Sequence, residues 1–154
     1  GATLGANAAY MILRGMKTLA LRMERHNSNA LELAHCLLEH SKIDTVFYPG
    51  LDTHPGFDTA TKQMKGFGGV LSFSLSGTED LIPAFLTKLN FAHAAAHLGS
   101  VDTIVGPPKT TSHVENTVEE RSYLGIPENL VRCSVGIENI DDIKTDFLQA
   151  LDQL

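Results

Sequence analysis

The sequence predicts an α+β fold in which one long amphipathic helix precedes a small, largely antiparallel sheet with helices on one face. Three observations carry this. Over residues 16–38 the apolar positions Met16, Leu19, Ala20, Met23, Ala30, Ala34, Leu37 and Leu38 recur near helical spacing, with Asn27 polar on the same stripe. Val70–Leu75 alternates Leu71, Phe73 and Leu75 against Ser72, Ser74 and the following Ser76, the period-2 signature of a strand with one wet face. Two strand-like runs, Val70–Leu75 and 130–135, are each followed by a helical pattern.

Gly15 separates the apolar run 8–13 from the long stripe, and a break is expected there because Gly costs ~1 kcal/mol against Ala inside a helix. Residues 43–48 form a short β-rich run closed by Pro49-Gly50. After His54-Pro55-Gly56, residues 58–64 read as a short helix, and Gly66-Phe67-Gly68-Gly69 turns the chain into Val70–Leu75. Ser76-Gly77-Thr78-Glu79 has the form of a capping box, with a helix over 81–89 behind it. Residues 91–96 and 103–105 are candidate strands, and 107–114 is loop. Asn116-Thr117-Val118-Glu119 starts a short helix to about Leu124. Asn139 caps the last helix, with Asp141 and Asp142 at its positive end and Ile140, Ile143, Phe147, Leu148, Leu151 and Leu154 on its apolar face. The organisation expected is a helix of interdomain type over 1–40 and a small α+β domain over 41–154.

The chain has 154 residues, a formal net charge of −6, 43% hydrophobic and 19% charged residues. That suffices for one core and leaves little room for two. An acidic balance argues against a nucleic-acid partner, and no apolar run approaches a membrane span. No secretory signal opens the chain. Two cysteines, Cys36 and Cys133, build no disulfide scaffold and suit a reducing cytosol, so a cytoplasmic location is expected. The sequence starts at Gly1 without an initiator Met and is expected to be a piece of a longer protein.

Few residues point to chemistry. His26, His35 and His40 on the first helix lack metal-ligand spacing and are expected to be solvated or snorkelling. His93 and His97 are four apart, but the intervening Ala94-Ala95-Ala96 reads as strand as easily as helix, and no carboxylate or thiol completes a metal site. The glycines at 66, 68 and 69 precede a strand rather than open a helix, so a tight turn outweighs a phosphate cradle. Lys62 sits on a polar stretch with nothing to lower its pKa, so it is no Schiff-base lysine. Cys36 and Cys133 read as core thiols. Arg132, in the middle of a β-forming run, is different. Its burial demands an anionic partner, which is either an internal Asp or Glu or a bound carboxylate matched to the planar fork.

Several segments, in order along the chain, carry a resemblance. They are Arg14-Gly15-Met16-Lys17-Thr18-Leu19-Ala20-Leu21-Arg22-Met23-Glu24-Arg25-His26, Tyr48-Pro49-Gly50-Leu51 with His54-Pro55, and Gln63-Met64-Lys65-Gly66-Phe67-Gly68-Gly69. Leu98-Gly99, Pro108 with Ser112-His113, and Leu130-Val131-Arg132-Cys133-Ser134-Val135-Gly136-Ile137-Glu138 follow. Together they resemble the C-terminal domain of the Cys/Met-metabolism (trans-sulfuration) family of pyridoxal-phosphate enzymes, which includes cystathionine γ-synthase, cystathionine γ-lyase, methionine γ-lyase and O-acylhomoserine sulfhydrylases.

The resemblance implies a fold-type I enzyme of the cytosol, a homotetramer built as a dimer of dimers, acting on a small amino-acid substrate by γ-elimination or γ-replacement. A large domain holds pyridoxal 5'-phosphate on a lysine, and the small domain closes the substrate cleft. The family's cofactor lysine, pyridine-binding Asp, stacking Tyr and phosphate loop are expected upstream of residue 1. The chain itself is then expected to carry no catalytic, cofactor-binding or metal residue, and to be inactive alone. Arg132 matches the arginine that grips the substrate α-carboxylate. Ser112 takes the place of a family Thr and keeps the hydroxyl. His97 takes the place of a family Ser and could donate from a ring nitrogen. Ala96 stands where cystathionine-handling members commonly have Glu, which tilts the reading toward methionine γ-lyase or acylhomoserine sulfhydrylase chemistry. The competing expectation is a stand-alone, non-catalytic binding module of the same fold. Such a module would cover its helical stripe, whereas a domain cut from a larger enzyme would expose it.

Overall fold

A computed structural model describes residues 3–154. Its helices are α1 (Ala6–Met16), α2 (Leu19–Leu38), α3 (Phe57–Gln63), α4 (Leu81–Lys88), α5 (Val118–Tyr123) and α6 (Ile140–Leu151). Its strands are β1 (Ile43–Phe47), β2 (Val70–Leu75), β3 (His93–Ala94), β4 (Ile104–Gly106) and β5 (Leu130–Ser134). They form one mixed sheet in the order β1-β2-β5-β4-β3. Every neighbouring pair is antiparallel except the edge pair β3–β4.

The helical break falls at Lys17-Thr18, two residues beyond Gly15. The Gly15 carbonyl, orphaned at the end of α1, accepts from Arg22 Nη2 at 2.8 Å, so the break is capped from within α2. The apolar stripe then divides. α1 buries none of its side chains, and Tyr10, Met11, Ile12, Leu13, Leu19 and Met23 are exposed. Past His26, Ala30, Leu33, Ala34 and Leu37 are fully buried, while Leu38, expected on the stripe, is exposed.

One sheet face, with Leu71, Phe73, Val105, Val131 and Cys133, packs on α2, α4 and α6. At its centre Phe73, Phe85 and Phe147 meet edge to face, with ring centroids 5.8–6.2 Å apart. A register shift between Ile43 and Thr45 lets both Ile43 and Val46 address this core although they are three residues apart. The opposite face is drier than the Ser alternation predicts: Ser74 and Ser134 are buried.

Local signals succeed unevenly. Thr117 and Glu120 form a reciprocal capping box on α5, and Asn139 caps α6 through the Asp141 amide. The Ser76–Glu79 box does not form. Asp80 occupies the N-cap of α4, and Glu79 pairs with Lys109 instead. The candidate strand over 91–96 shrinks to His93–Ala94. Its approach is held from the side: Asp146, buried on α6, accepts from the backbone amides of Asn90, Phe91 and Ala92 at 2.6, 3.3 and 3.1 Å. Cys133 is fully buried, but Cys36 is only partly so, and burial pushes both thiols above their ordinary pKa.

Asp146→Ala leaves three amides without their acceptor, and loss of these charge-assisted bonds is expected to lower stability by about 2–3 kcal/mol in urea unfolding. Tyr48 offers a pH test. Its hydroxyl donates to the Gly68 carbonyl at 2.9 Å, and burial pushes the phenol from 10.0 up to about 12. The unfolded chain loses this proton first as pH rises. Stability is therefore full below pH 10.0 and falls as the pH climbs toward about 12. Tyr48→Phe is expected to remove most of that slope in unfolding midpoints measured across the range.

Candidate functional site

Arg132 is the central residue of β5, facing away from the helical core. Its register partners are Ser72 on β2 and Gly106 on β4. Both are small, which leaves the guanidinium room on the sheet surface. Gly106 is required by close approach: a Cβ there would stand 2.8 Å from the Ala95 carbonyl and 3.3 Å from Thr111 Cγ2. The segment after β3 and the loop after β4 therefore flank Arg132 from one side.

Nη2 of Arg132 donates to the carbonyls of Ala96 at 3.0 Å and His97 at 3.2 Å. Nε is buried and meets no acceptor among the described residues. No Asp or Glu lies within ion-pair distance of the guanidinium among the described residues. Elsewhere buried Arg121 pairs with Glu128 and half-buried Lys144 with Glu32 and Asp141, while Arg22 and Lys42, also half-buried, donate to backbone carbonyls. The internal salt bridge that the sequence left open for Arg132 is absent.

The structure brings His97 to Arg132 through its backbone carbonyl, with the imidazole residue exposed. Ser112 is exposed on the loop following Gly106, its Oγ 2.9 Å from His113 Nδ1, and no hydrogen bond joins it to Arg132. A groove of about 390 Å³ between Phe91 and the α6 residues Asp142 and Gln149 includes none of the three.

The support behind these residues is polar, and it escaped sequence reading. His26 was expected to be solvated but is buried, and its Nδ1 donates to the Val135 carbonyl at 2.6 Å. A carbonyl can only accept, so this contact places the ring proton on Nδ1. Asn29 Nδ2 donates to the carbonyls of Gly136 and Glu138 at 3.0 and 2.9 Å. Asn27 Oδ1 accepts from the Gly68 amide at 2.6 Å, where Gly68 has φ +86. The glycine run is a turn pressed against α2: a Cβ on Gly69 would sit 2.9 Å from His26 Cβ. Ser134 Oγ, on the same face of β5 as Arg132, accepts from the Gly99 amide at 3.0 Å. The period of two placed Ser134 beside Arg132 in the sequence, and that signal could have marked it.

A family model described as Cys/Met metabolism PLP-dependent enzyme matches residues 1–152. The L-methionine gamma-lyase of Fusobacterium nucleatum subsp. polymorphum is 46% identical over 154 residues, covering 100% of this chain and 39% of the relative. Cystathionine gamma-synthase 1, chloroplastic, of Arabidopsis thaliana is 44% identical over 154 residues, 100% of this chain and 27% of that protein. The crystal structure of cystathionine gamma synthase from Xanthomonas oryzae pv. oryzae in complex with cystathionine superposes with a TM-score of 0.90 at 38% identity, covering 95% of this chain and 38% of that one. The chain spans 39% or less of these relatives' lengths. With a match over nearly every residue, the chain belongs to the family of PLP-dependent enzymes of Cys/Met metabolism.

Proposed function

We propose that this chain is the small C-terminal domain of an enzyme performing γ-elimination or γ-replacement on methionine- or homoserine-type amino acids, and that Arg132 binds the substrate α-carboxylate. One observation carries the reading: among the described residues, Arg132 is a half-buried cation with no counter-ion and a buried Nε–H without an acceptor. An isolated buried charge is unfavourable unless something completes it. A carboxylate supplies both the missing charge and the planar pair of acceptors that matches the fork. His97 and Ser112 flank the same end of the sheet and are proposed as further polar contacts to the substrate. Ala96 offers no charge to a distal ammonium group, which favours methionine or acylhomoserine over cystathionine.

The described residues do not fit the cofactor itself. Lys17, Lys62, Lys65 and Lys88 are exposed, Lys109 and Lys144 are ion-paired, and Lys42 donates to the Leu154 carbonyl. None is desolvated as an attachment lysine needs to be. The cofactor is accordingly assigned to other parts of the full enzyme. Residues 1–40 are proposed as the interdomain helix and 41–154 as the small domain. The exposed apolar face of α1 supports this division over a self-contained binding module, which would cover that stripe. A cytoplasmic homotetramer is the proposed full-length form; among the described residues no helix is long and apolar enough to cross a membrane.

In the full-length enzyme, Arg132→Lys is expected to raise KM for the amino-acid substrate about ten- to a hundredfold. This corresponds to loss of a charge-assisted bidentate contact of about 1.5–3 kcal/mol, and an unchanged KM would exclude the assignment. Pyridoxal phosphate added to the 154-residue chain alone is expected to keep the absorption spectrum of the free cofactor; a new band with bound stoichiometry would show attachment.

A further inference from the structure

We propose that Ser134 is a positioning residue that aims Arg132 by fixing the loop whose carbonyls receive its guanidinium. The inference rests on the reading of Arg132 as the carboxylate-binding group, and it comes from three contacts in series. Ser134 Oγ accepts from the Gly99 amide at 3.0 Å, and Ser134 is itself buried, with 3% of its surface exposed. Gly99 has φ +82, a left-handed conformation that favours glycine. Just before it, the carbonyls of Ala96 and His97 stand 3.0 and 3.2 Å from Arg132 Nη2.

The geometry closes a ring. Arg132 and Ser134 project from the same face of β5, two residues apart, and both are bonded to the 96–99 segment. The far end of that segment is secured independently. Thr103 takes the Glu138 carboxylate on its amide and hydroxyl at 2.6 and 2.9 Å, and its hydroxyl accepts from the Gly136 amide at 3.0 Å. Between these anchors, residues 95–100 have little regular structure of their own. Apart from Arg132 itself and the local Ser100–Asp102 contacts, the Ser134–Gly99 bond is the only side-chain hydrogen bond on that stretch among the described residues. Without it the carbonyls of Ala96 and His97 are free to drift, and the guanidinium plane loses the two acceptors that orient it. A long flexible cation would remain, with the right charge in an undefined orientation.

A role through Arg132 differs measurably from a role in stability. The test uses the full-length enzyme with L-methionine and with L-methioninamide, which lacks the carboxylate. Ser134→Ala is expected to raise KM for L-methionine about tenfold and leave kcat within about twofold, since each factor of ten corresponds to one well-placed contact. Its KM for the amide should equal that of the unaltered enzyme, and its thermal midpoint should remain within a few degrees. Ser134→Thr, which keeps the hydroxyl, should restore most of the affinity for L-methionine. An unchanged KM for L-methionine in Ser134→Ala, or equal losses for acid and amide, would overturn the proposal. Arg132→Lys in the same series separates the two ideas. If it weakens L-methionine binding while Ser134→Ala does not, only the positioning role fails; if it leaves L-methionine binding unaffected, the carboxylate reading fails and the positioning role with it.

Discussion

The polar seam between α2 and the ends of β2 and β5 is the constraint on which the rest of the structure depends. His26, Asn27 and Asn29 lie on a helix whose buried neighbours are otherwise apolar. Together they bond the backbone at Val135, Gly136, Glu138 and Gly68. These groups follow the last residue of β5 or precede the first of β2, beyond the regular ladder of the sheet. A buried backbone group left unpaired costs about 1–3 kcal/mol, so the helix stabilises the sheet ends as much as the sheet stabilises the helix. The seam requires close approach, which Gly66 and Gly69 permit by lacking a Cβ where the side chains of Asn27 and His26 pass.

With α2 fixed in this way, the two sheet faces acquire different tasks. The helical face carries the aromatic cluster. The other face presents small residues around Arg132. An arginine there without a carboxylate neighbour is an unfavourable element for folding, because two carbonyl contacts do not replace a counter-ion. Arg121 and Lys144, by contrast, are paired with carboxylates. The proposed carboxylate-binding role accounts for this difference.

In the proposed reading the anion that Arg132 binds is the substrate α-carboxylate, and family membership does not assign the reaction. Relatives of comparable identity are named methionine gamma-lyase, cystathionine gamma-synthase and cystathionine beta-lyase. Holding an α-carboxylate is a task common to all amino-acid substrates of such enzymes. Discrimination among them must come from groups facing the rest of the substrate, a role proposed above for Ala96, His97 and Ser112. The exposed apolar side of α1 has the character of a surface that normally lies against protein, in keeping with a chain that spans 39% or less of the relatives compared above.

Much of the fold was legible in the sequence because it rests on local chemistry. The period-2 run gave β2, the 3.6-residue stripe gave α2, and short polar side chains marked the starts of α5 and α6. Arg132 stood out because a charge among β-formers is locally anomalous. The misreadings share one cause. Gly15 did not break the helix because Arg22 caps the chain further on; the Ser76–Glu79 box did not form because Glu79 has Lys109 as a partner; His26 is not solvated because Val135, 109 residues away, accepts its proton. The sequence by itself determined the order of the main helices and strands and the family resemblance. Only the tertiary structure decided that Arg132 meets no Asp or Glu among the described residues, and that Ser134 accepts from the Gly99 amide. Both depend on contacts between residues distant along the chain, and no local pattern encodes which of the available partners a side chain will meet.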